Sequence, residues 1–175
     1  EKYGLIYIST GDILRAEIKK ESELGLKAKE FMNQGHLIPD DMVIKIVENI
    51  LKENPNGEFL FDGFPRTVEQ AKKLDTILND TPLIVFGLNV KEDELMQRII
   101  ARAEHSERSD DNLNVIKERF IEYENKTKPV MTHYLQRVFE RDNTKCVWLN
   151  GHNSIDTIFG TICLDINEMK EKESV

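Results

Sequence analysis

The sequence predicts an α/β protein built on a mainly parallel sheet with helices on both faces. Short apolar runs alternate with helical patterns along the chain, which implies strands joined by helical crossovers. The run Leu83–Leu88 is almost wholly apolar, as suits a parallel strand covered on both faces. The run Phe59–Phe61, predicted to be a buried strand, stops at the carboxylate of Asp62, and open α/β sheets bind ligands at this end of their strands.

The first predicted strand, Leu5–Ile8, leads into a hydroxyl-rich turn and then a helix. Ser9–Asp12 forms the predicted turn and Ile13–Lys20 the helix, which together make half of a βαβ unit. Thr10 offers a hydroxyl group, and Arg15 lies near the positive end of the helix, where both favour an anion. The alternative is a capping motif on a solvated helix.

Two further helices are predicted before the central strand. Ser22 is expected to cap a helix that ends near Gln34, because Gly35 occupies the position that helix C-termini favour. After a short extended connector, the next helix is expected to begin at Asp40 or Asp41 and to bury a broad apolar face.

The chain turns sharply after Asp62 and begins a new helix that is predicted to reach Leu78. Thr67 and Gln70 have the spacing of a capping box, with Thr67 as the N-cap. Arg66 precedes this helix and is predicted to face the ligand at the end of the central strand. The alternative gives Arg66 an ordinary surface salt bridge and Gln70 no role beyond capping.

A predicted lid lies between two helices that carry arginines. The first helix is Glu92–Arg102, the second begins at Asn112, and the polar segment between them contains no core-forming residue beyond alanine. A solvated loop is the alternative. If the segment is a lid, the two helix ends can gather four arginines around one pocket: Arg98, Arg102, Arg108 and Arg119.

Arginine is concentrated in the stretches described above. The chain has eight arginines and sixteen lysines, and six of the eight arginines lie in these stretches. Arginine binds phosphate oxygens through two parallel hydrogen bonds, whereas lysine is a mobile point charge. The distribution therefore favours a polyphosphate site.

The last third of the chain is predicted to contain one or two helices, a strand and a final helix. The helical stretch Phe120–Arg141 is expected to break at Pro129. Cys146–Leu149 is the predicted strand and Ile155–Ile166 the final helix, followed by a charged, fraying tail over Glu168–Val175.

Composition limits the class of protein. The length of 175 residues predicts a single domain, residues 1–175. A net charge of -8 argues against nucleic-acid or membrane-surface partners, and no apolar run approaches the ~20 residues needed to span a bilayer. Cys146 and Cys163 lie in apolar surroundings without metal-ligand spacing, which indicates reduced cysteines in a cytoplasmic protein.

These motifs, in this order, resemble the adenylate kinases and the related UMP/CMP kinases in their short-lid form. The resemblance extends from Lys2 to about Ile166. It rests on Tyr3-Gly4, Ser9–Arg15, Leu37–Pro39, Asp62–Arg66, Arg108–Asn112 and Arg119. It implies a P-loop NTPase-type parallel sheet with a helical monophosphate-binding flap at residues 9–38 and a short lid at residues 101–111.

The resemblance also implies a role for each matching residue. Thr10 and Gln70 would contact the adenine of AMP, and Arg15 and Arg66 would bind its phosphate. The implied AMP-binding set is Thr10, Arg15, His36, Leu37, Ile38, Gly63, Phe64, Pro65, Arg66, Gln70, Arg108 and Arg119.

For the transfer itself, the resemblance implies phosphoryl transfer from MgATP to AMP, giving two ADP. Arg66, Arg98, Arg108 and Arg119 would be catalytic, with Asp110 and Asp111 orienting the arginines. Arg98, Arg102 and Asn153 would bind ATP. Asp62 would hold Mg²⁺ through water.

Two alternatives concern the substrate and the activity. Thr10 and the sequence Thr67–Gln70 resemble the AMP type, whereas Arg108–Asn112 is closer to the pyrimidine type. The family's Gly-rich phosphate loop, which follows a strand in the middle of the sheet, matches nothing in these residues. We therefore expect an unpaired slot in the sheet and a segment of a longer chain or assembly. A non-catalytic, kinase-like binding module is the alternative to an active enzyme.

Overall fold

The computed structural model describes residues 2–103 and 113–173. The described residues form two compact units. The first comprises those in the ranges Glu1–Asn79 and Ser106–Val130, and the second those in Asp80–His105 and Met131–Val175. Most of the predicted lid, residues 101–111, lies outside the described residues, as do Arg108, Asp110 and Asp111.

Strands and helices alternate along the chain. In order, the elements are β1 Ile6–Ser9, α1 Thr10–Lys19, α2 Glu23–Asn33, α3 Asp40–Glu53, β2 Phe59–Asp62, α4 Val68–Leu78, β3 Leu83–Asn89, α5 Glu92–Ala103, α6 Leu113–Glu122, a π-helical turn Tyr123–Thr127, α7 Lys128–Glu140, β4 Thr144–Asn150 and α8 Ile155–Glu173. The predicted α/β alternation is therefore present, and most predicted boundaries agree within two residues.

The four strands form two separate parallel pairs. In the first unit β1 pairs with β2, which places Ser9 opposite Asp62 at the carboxyl ends. In the second unit β3 pairs with β4, from Leu83 opposite Thr144 to Asn89 opposite Asn150. The described strands pair only within these two sets.

The first unit has its own apolar core beneath β1 and β2. Helices α1 to α4 bury one side each against it. The buried cluster consists of Leu14, Ala28, Ile38, Val43, Val47, Phe64 and Leu74. Phe61 packs against this cluster, but Leu60 is 48% exposed. The prediction of a buried strand is therefore correct for one face only, because neighbouring β2 side chains point to opposite faces and only one face is covered.

Three predicted boundaries differ from the structure: the start of α1, the break at Pro129 and the end of α8. Helix α1 begins at Thr10, not Ile13, because the Ser9 hydroxyl accepts the N–H of Asp12 (3.4 Å) and caps the helix there. The stretch around Pro129 does not break; α7 begins at Lys128, directly after the π-helical turn.

The predicted tail is part of α8, which continues to Glu173. Lys145 forms 2.7 Å ion pairs with Asp165 and Glu168, and Lys172 pairs with Glu168 one helical turn away. These contacts tie the end of α8 to β4. The expectation of a fraying tail is thus wrong for the described part, which ends at residue 173.

Among residues 2–103 and 113–173, no helix is both long enough and apolar enough to cross a membrane.

Candidate active site

The first unit contains a cavity of about 290 Å³ at the carboxyl ends of β1 and β2. It lies between the start of α1, the connector after α2, the turn after β2 and the junction of α6 with the π-helical turn. Nine residues that the sequence analysis selected for AMP lie in its wall: Thr10, Arg15, His36, Leu37, Ile38, Gly63, Arg66, Gln70 and Arg119. The structure therefore brings together residues from positions 10 to 119 of the chain.

The carbonyl of Gly63 connects two sides of the cavity. It accepts hydrogen bonds from Thr10 Oγ1 (2.9 Å) and from Arg66 Nε (2.9 Å). The Thr10 side chain is buried, since the residue is 3% exposed. The N-terminus of α1 is thereby held against the turn that follows β2.

Glycines allow two arginines to lie close to the backbone. Gly63 has φ +70°, a conformation that favours glycine, and a Cβ there would lie 2.7 Å from Arg66 Nη2 and displace the guanidinium. At Gly11 a Cβ would lie 3.1 Å from Arg15 Nη2. Arg15 also forms an ion pair with Asp12 at 2.5 Å. Both guanidinium groups therefore have defined positions beside the cavity, as anion binding by a preorganised site requires.

Gln70 is almost fully buried, at 2% exposure, and its side-chain amide binds two partners. Its Oε1 accepts the backbone N–H of Arg66 (2.7 Å), and its Nε2 donates to Asp40 Oδ1 (2.8 Å). Its backbone N–H donates to Thr67 Oγ1 (3.1 Å), which confirms Thr67 as the N-cap of α4. The predicted capping box differs in one respect: the glutamine oxygen reaches the N–H of residue 66, one position before the cap.

In the wall formed by α6 and the π-helical turn, Arg119 was predicted from the sequence, but the contacts of Glu122 and Thr127 were not. Glu122 Oε2 accepts the backbone N–H of Leu37 (3.1 Å) and binds Lys126 Nζ (2.9 Å). Thr127 Oγ1 donates to the carbonyl of Arg66 (2.9 Å). The local sequence gave no signal for these bonds. The bond from Leu37 to Glu122 joins residues 85 positions apart, and the bond from Thr127 to Arg66 joins residues 61 positions apart.

Asp62 lies at the carboxyl end of β2, as predicted. Its Oδ2 accepts a hydrogen bond of 2.6 Å from the Tyr7 hydroxyl. This bond is the main cause that raises the pKa of Tyr7 above its usual value. The Asp62 carboxylate is exposed, so it is accessible to water and to ions.

The second unit places Arg98 beside the loop that follows β4. Arg98 Nη2 donates to the carbonyl of Gly151 (2.9 Å) and forms an ion pair with Glu94. His152 Nδ1 contacts the other oxygen of Glu94. Burial raises the pKa of Glu94, but the hydrogen bonds from His152 and Arg98 outweigh it and hold the pKa below its ordinary value.

Other predicted site residues lie elsewhere. Arg102 is near the end of α5 and Asn153 is in the exposed loop after β4, both in the second unit. Phe64 is a core residue, and the Phe64–Pro65 peptide bond is cis. The gathering of Arg98, Arg102, Arg108 and Arg119 around one pocket stays a prediction, because Arg108 is outside the described residues.

The first-unit cavity combines cationic groups with a buried side-chain amide. Guanidinium groups bind phosphate oxygens, and an oriented amide binds the edge of a nucleobase. On a parallel α/β scaffold, at the carboxyl ends of the strands, this combination suits a protein that binds a nucleoside monophosphate.

The comparisons with known proteins identify the family. A family model described as adenylate kinase matches residues 1–139. The chain is 40% identical to the adenylate kinase of Parabacteroides distasonis over 174 residues, which cover 97% of the chain and 88% of that relative. It is 42% identical to the adenylate kinase of Azobacteroides pseudotrichonymphae over 173 residues, with 97% and 87% covered. For the adenylate kinase of Leptospira biflexa serovar Patoc, the identity is 42% over 171 residues, with 95% and 88% covered.

The chain therefore belongs to the adenylate kinase family. It has the P-loop NTPase-type α/β fold of that family and is a phosphotransferase of the adenylate kinase type. This result favours the enzyme over the non-catalytic module and the AMP type over the pyrimidine type.

Proposed function

We propose that the first-unit cavity binds AMP and that the protein transfers the terminal phosphoryl group of MgATP to it, giving two ADP. One observation carries this assignment: Arg15, Arg66 and Arg119 line the same cavity as the buried amide of Gln70. A nucleoside monophosphate presents a dianionic phosphate at one end and a hydrogen-bonding base edge at the other. The cavity has groups suited to both.

Each side of the cavity has a proposed role in AMP binding. Arg15 and Arg66 bind the phosphate, and Thr10 and Gln70 contact the base. The backbone of residues 36–38 and of Gly63 lines the same site. Arg119 binds the transferring phosphoryl group, where a guanidinium stabilises the charge of the transition state.

We propose that residues of the second unit bind the donor nucleotide. The residues that bind ATP are Arg98, Arg102 and Asn153. The hydrogen bond from Arg98 to the Gly151 carbonyl supports this, because it places the arginine beside the loop that carries Asn153. Arg108 is proposed to bind the transferring group, and Asp110 and Asp111 to orient the arginines.

Asp62 fits a magnesium ion held through water. Adenylate kinases use MgATP, and the bound ion neutralises charge on the phosphates. Mg²⁺ usually keeps several waters and binds through one or two carboxylates together with substrate phosphates. Within residues 2–103 and 113–173, no cluster of three or more His, Cys, Asp or Glu side chains could hold a metal. The exposed carboxylate of Asp62, at the end of β2, is the kind of ligand that a hydrated Mg²⁺ ion uses.

The chemistry of the protein is positioning and charge stabilisation. In-line phosphoryl transfer needs little covalent participation by side chains. We propose that the residues act within a single kinase domain, with residues 9–38 as the monophosphate flap and 101–111 as the lid. Closure of both would exclude water, which competes as an acceptor. Cys146 and Cys163 form no disulfide in the described part of the chain, and we propose a cytoplasmic location.

Arg66→Ala tests the assignment of the cavity. Calorimetric titration with AMP should show a dissociation constant about 10 to 100 times higher than for the unchanged protein, since hydrogen bonds to charged groups contribute ~1.5–3 kcal/mol. Arg141→Ala removes a guanidinium from the second unit, where Arg141 lies 3.7 Å from Asp80, and should leave AMP affinity unchanged. Equal AMP affinity in Arg66→Ala and the unchanged protein contradicts the proposal.

A further inference from the structure

We propose that Asp40 is a specificity-determining residue that fixes the orientation of the Gln70 amide, so that the cavity selects bases with an amino group over bases with an oxo group at the same position. The inference rests on the proposed function, in which Gln70 contacts the base of a nucleoside monophosphate. Asp40 is not itself in the cavity wall; it acts through Gln70.

The two partners of the Gln70 amide have fixed hydrogen-bonding character. The backbone N–H of Arg66, 2.7 Å from Oε1, can only donate. The carboxylate of Asp40, 2.8 Å from Nε2, can only accept. A reversed amide would place its NH₂ group against the N–H and its oxygen against the carboxylate. At a residue that is 2% exposed, both mismatches would be buried.

Asp40 is itself held in place. Its second oxygen, Oδ2, accepts a 3.0 Å hydrogen bond from Thr67 Oγ1. The same hydroxyl caps α4 by accepting the N–H of Gln70. Asp40 also lies in the first turn of α3, where the helix dipole favours a negative charge. The Gln70 amide is thus bound to groups at the starts of two helices.

The oriented amide retains one donor and one acceptor for a ligand. A glutamine amide has two N–H donors and an oxygen with two lone pairs, and the described residues use one of each. Adenine presents an amino donor beside a ring-nitrogen acceptor. Hypoxanthine and guanine present the reverse, an oxo acceptor beside a ring N–H donor. A freely rotating amide could bind either edge, whereas a fixed amide matches only one of them.

AMP and IMP provide the cleanest test, because their bases differ only in this amino or oxo edge. We expect the unchanged protein to bind AMP at least about 100-fold more tightly than IMP, since hydrogen-bonding sites reject ligands that leave buried polar groups unpaired. In Asp40→Asn, the new amide can donate to a reversed Gln70. The AMP-to-IMP affinity ratio from calorimetric titration should fall at least about tenfold.

Two controls distinguish a change in the orientation of the Gln70 amide from a general loss of ligand binding. Asp41→Asn removes the adjacent charge from the same turn of α3 and should keep the AMP-to-IMP ratio. Ribose 5-phosphate has no base, so its affinity measures binding at the phosphate side of the cavity alone. The affinity of Asp40→Asn for ribose 5-phosphate should equal that of the unchanged protein. If Asp40→Asn weakens AMP, IMP and ribose 5-phosphate by the same factor, Asp40 has only a structural role and the inference is wrong.

Gln70→Leu distinguishes failure of this inference from failure of the proposed function. If Gln70→Leu keeps the AMP-to-IMP ratio, the base does not lie at Gln70 and the proposed site assignment is wrong. If the AMP-to-IMP affinity ratio falls in Gln70→Leu but is unchanged in Asp40→Asn, the site assignment stands and the role of Asp40 is rejected. Should Asp40→Asn fail to fold, Asp40→Ser replaces it, because its short hydroxyl can donate as well as accept; an unchanged AMP-to-IMP ratio there also rejects the inference.

Discussion

Glu122 is a largely buried carboxylate that joins α6 to the connector after α2. Its side chain is 15% exposed, and it binds Lys126 Nζ and the backbone N–H of Leu37. Burial raises the pKa of Glu122, but these two hydrogen bonds and the charge of Lys126 outweigh it and hold the pKa below the ordinary value. The carboxylate form is thereby stabilised in the folded protein.

This shift predicts a specific loss of stability in acid. Because its pKa is lower in the folded than in the unfolded protein, Glu122 contributes stability above the unfolded value near 4.5, and that contribution is lost as the pH falls below it. In Glu122→Gln, the free energy of unfolding in urea should therefore depend less steeply on pH below 4.5. Glu118→Gln, an exposed position on α6, serves as the control. Identical pH dependence in Glu122→Gln and the unchanged protein would refute the prediction.

Some site residues were predicted from the sequence because neighbouring residues mark their position. The site residues that were missed are marked only by contacts between distant parts of the chain. Arg15, Arg66 and Gln70 follow strand ends or begin helices, so position along the chain indicated their place in the fold. Glu122 is separated from Leu37 by 85 residues, and its role appears only in three dimensions. The sequence predicted that α3 begins at Asp40 or Asp41, and it begins at Asp40. Its contact with Gln70, 30 residues away, could not be derived from that pattern.

At the scale of elements, the π-helical turn Tyr123–Thr127 aligns two contacts of the cavity wall. The N–H of Lys128 binds the carbonyl of Tyr123, five residues earlier. In an α-helix, residues five apart lie about 140° apart around the axis, whereas an i→i+5 turn brings them closer to one side. Glu122 and Thr127 have this separation, and each binds a backbone group of a different cavity segment.

A substitution at Thr127 tests the contribution of the turn to AMP binding. Thr127→Val removes the hydroxyl that donates to the carbonyl of Arg66 and keeps the chain length and side-chain shape. Loss of this contact should raise the AMP dissociation constant about fivefold in calorimetric titration. Thr76→Val removes an exposed hydroxyl that donates to the carbonyl of Lys72 in α4 and should bind AMP normally. Normal affinity in Thr127→Val would show that this contact of the turn does not support the cavity wall.

Proline explains why this stretch was only partly predictable. Pro129 lacks the N–H that an α-helix would direct to the carbonyl of residue 125, so the sequence indicated a break. The chain instead remains helical, with a π-helical turn directly before α7. Whether a helix breaks or widens at such a point depends on tertiary contacts, here the hydrogen bond from Thr127 to Arg66. The local sequence does not contain that information.

At the scale of the molecule, the sequence predicted the class of fold but not the grouping of its strands. Alternation of apolar runs with helical patterns was sufficient for a parallel α/β protein. The described strands form one pair in each compact unit. Strand pairing joins positions some 50 to 60 residues apart, as Ile6 with Phe59 and Leu83 with Thr144 show. Such pairings depend on which strands are available, and periodicity cannot supply them.

The division into units predicts where AMP will stabilise the protein. Every residue that lines the cavity belongs to the first unit, so AMP should suppress local opening there first. At 100 times its dissociation constant, a ligand stabilises the bound state by about 2.7 kcal/mol. Hydrogen–deuterium exchange should therefore slow by up to about 100-fold in α1, the connector after α2 and the π-helical turn, and less in β3 and β4.

Arg66→Ala at the same AMP concentration provides the control for this exchange experiment, because its protection should fall with its AMP affinity. Amides that exchange only by unfolding of the whole molecule will slow in both units alike, so the comparison depends on amides that exchange through local opening. Stronger protection in β3 and β4 than around the cavity would place AMP in the second unit. The cavity could then not be its primary site, since a ligand stabilises most the region whose folded form it binds.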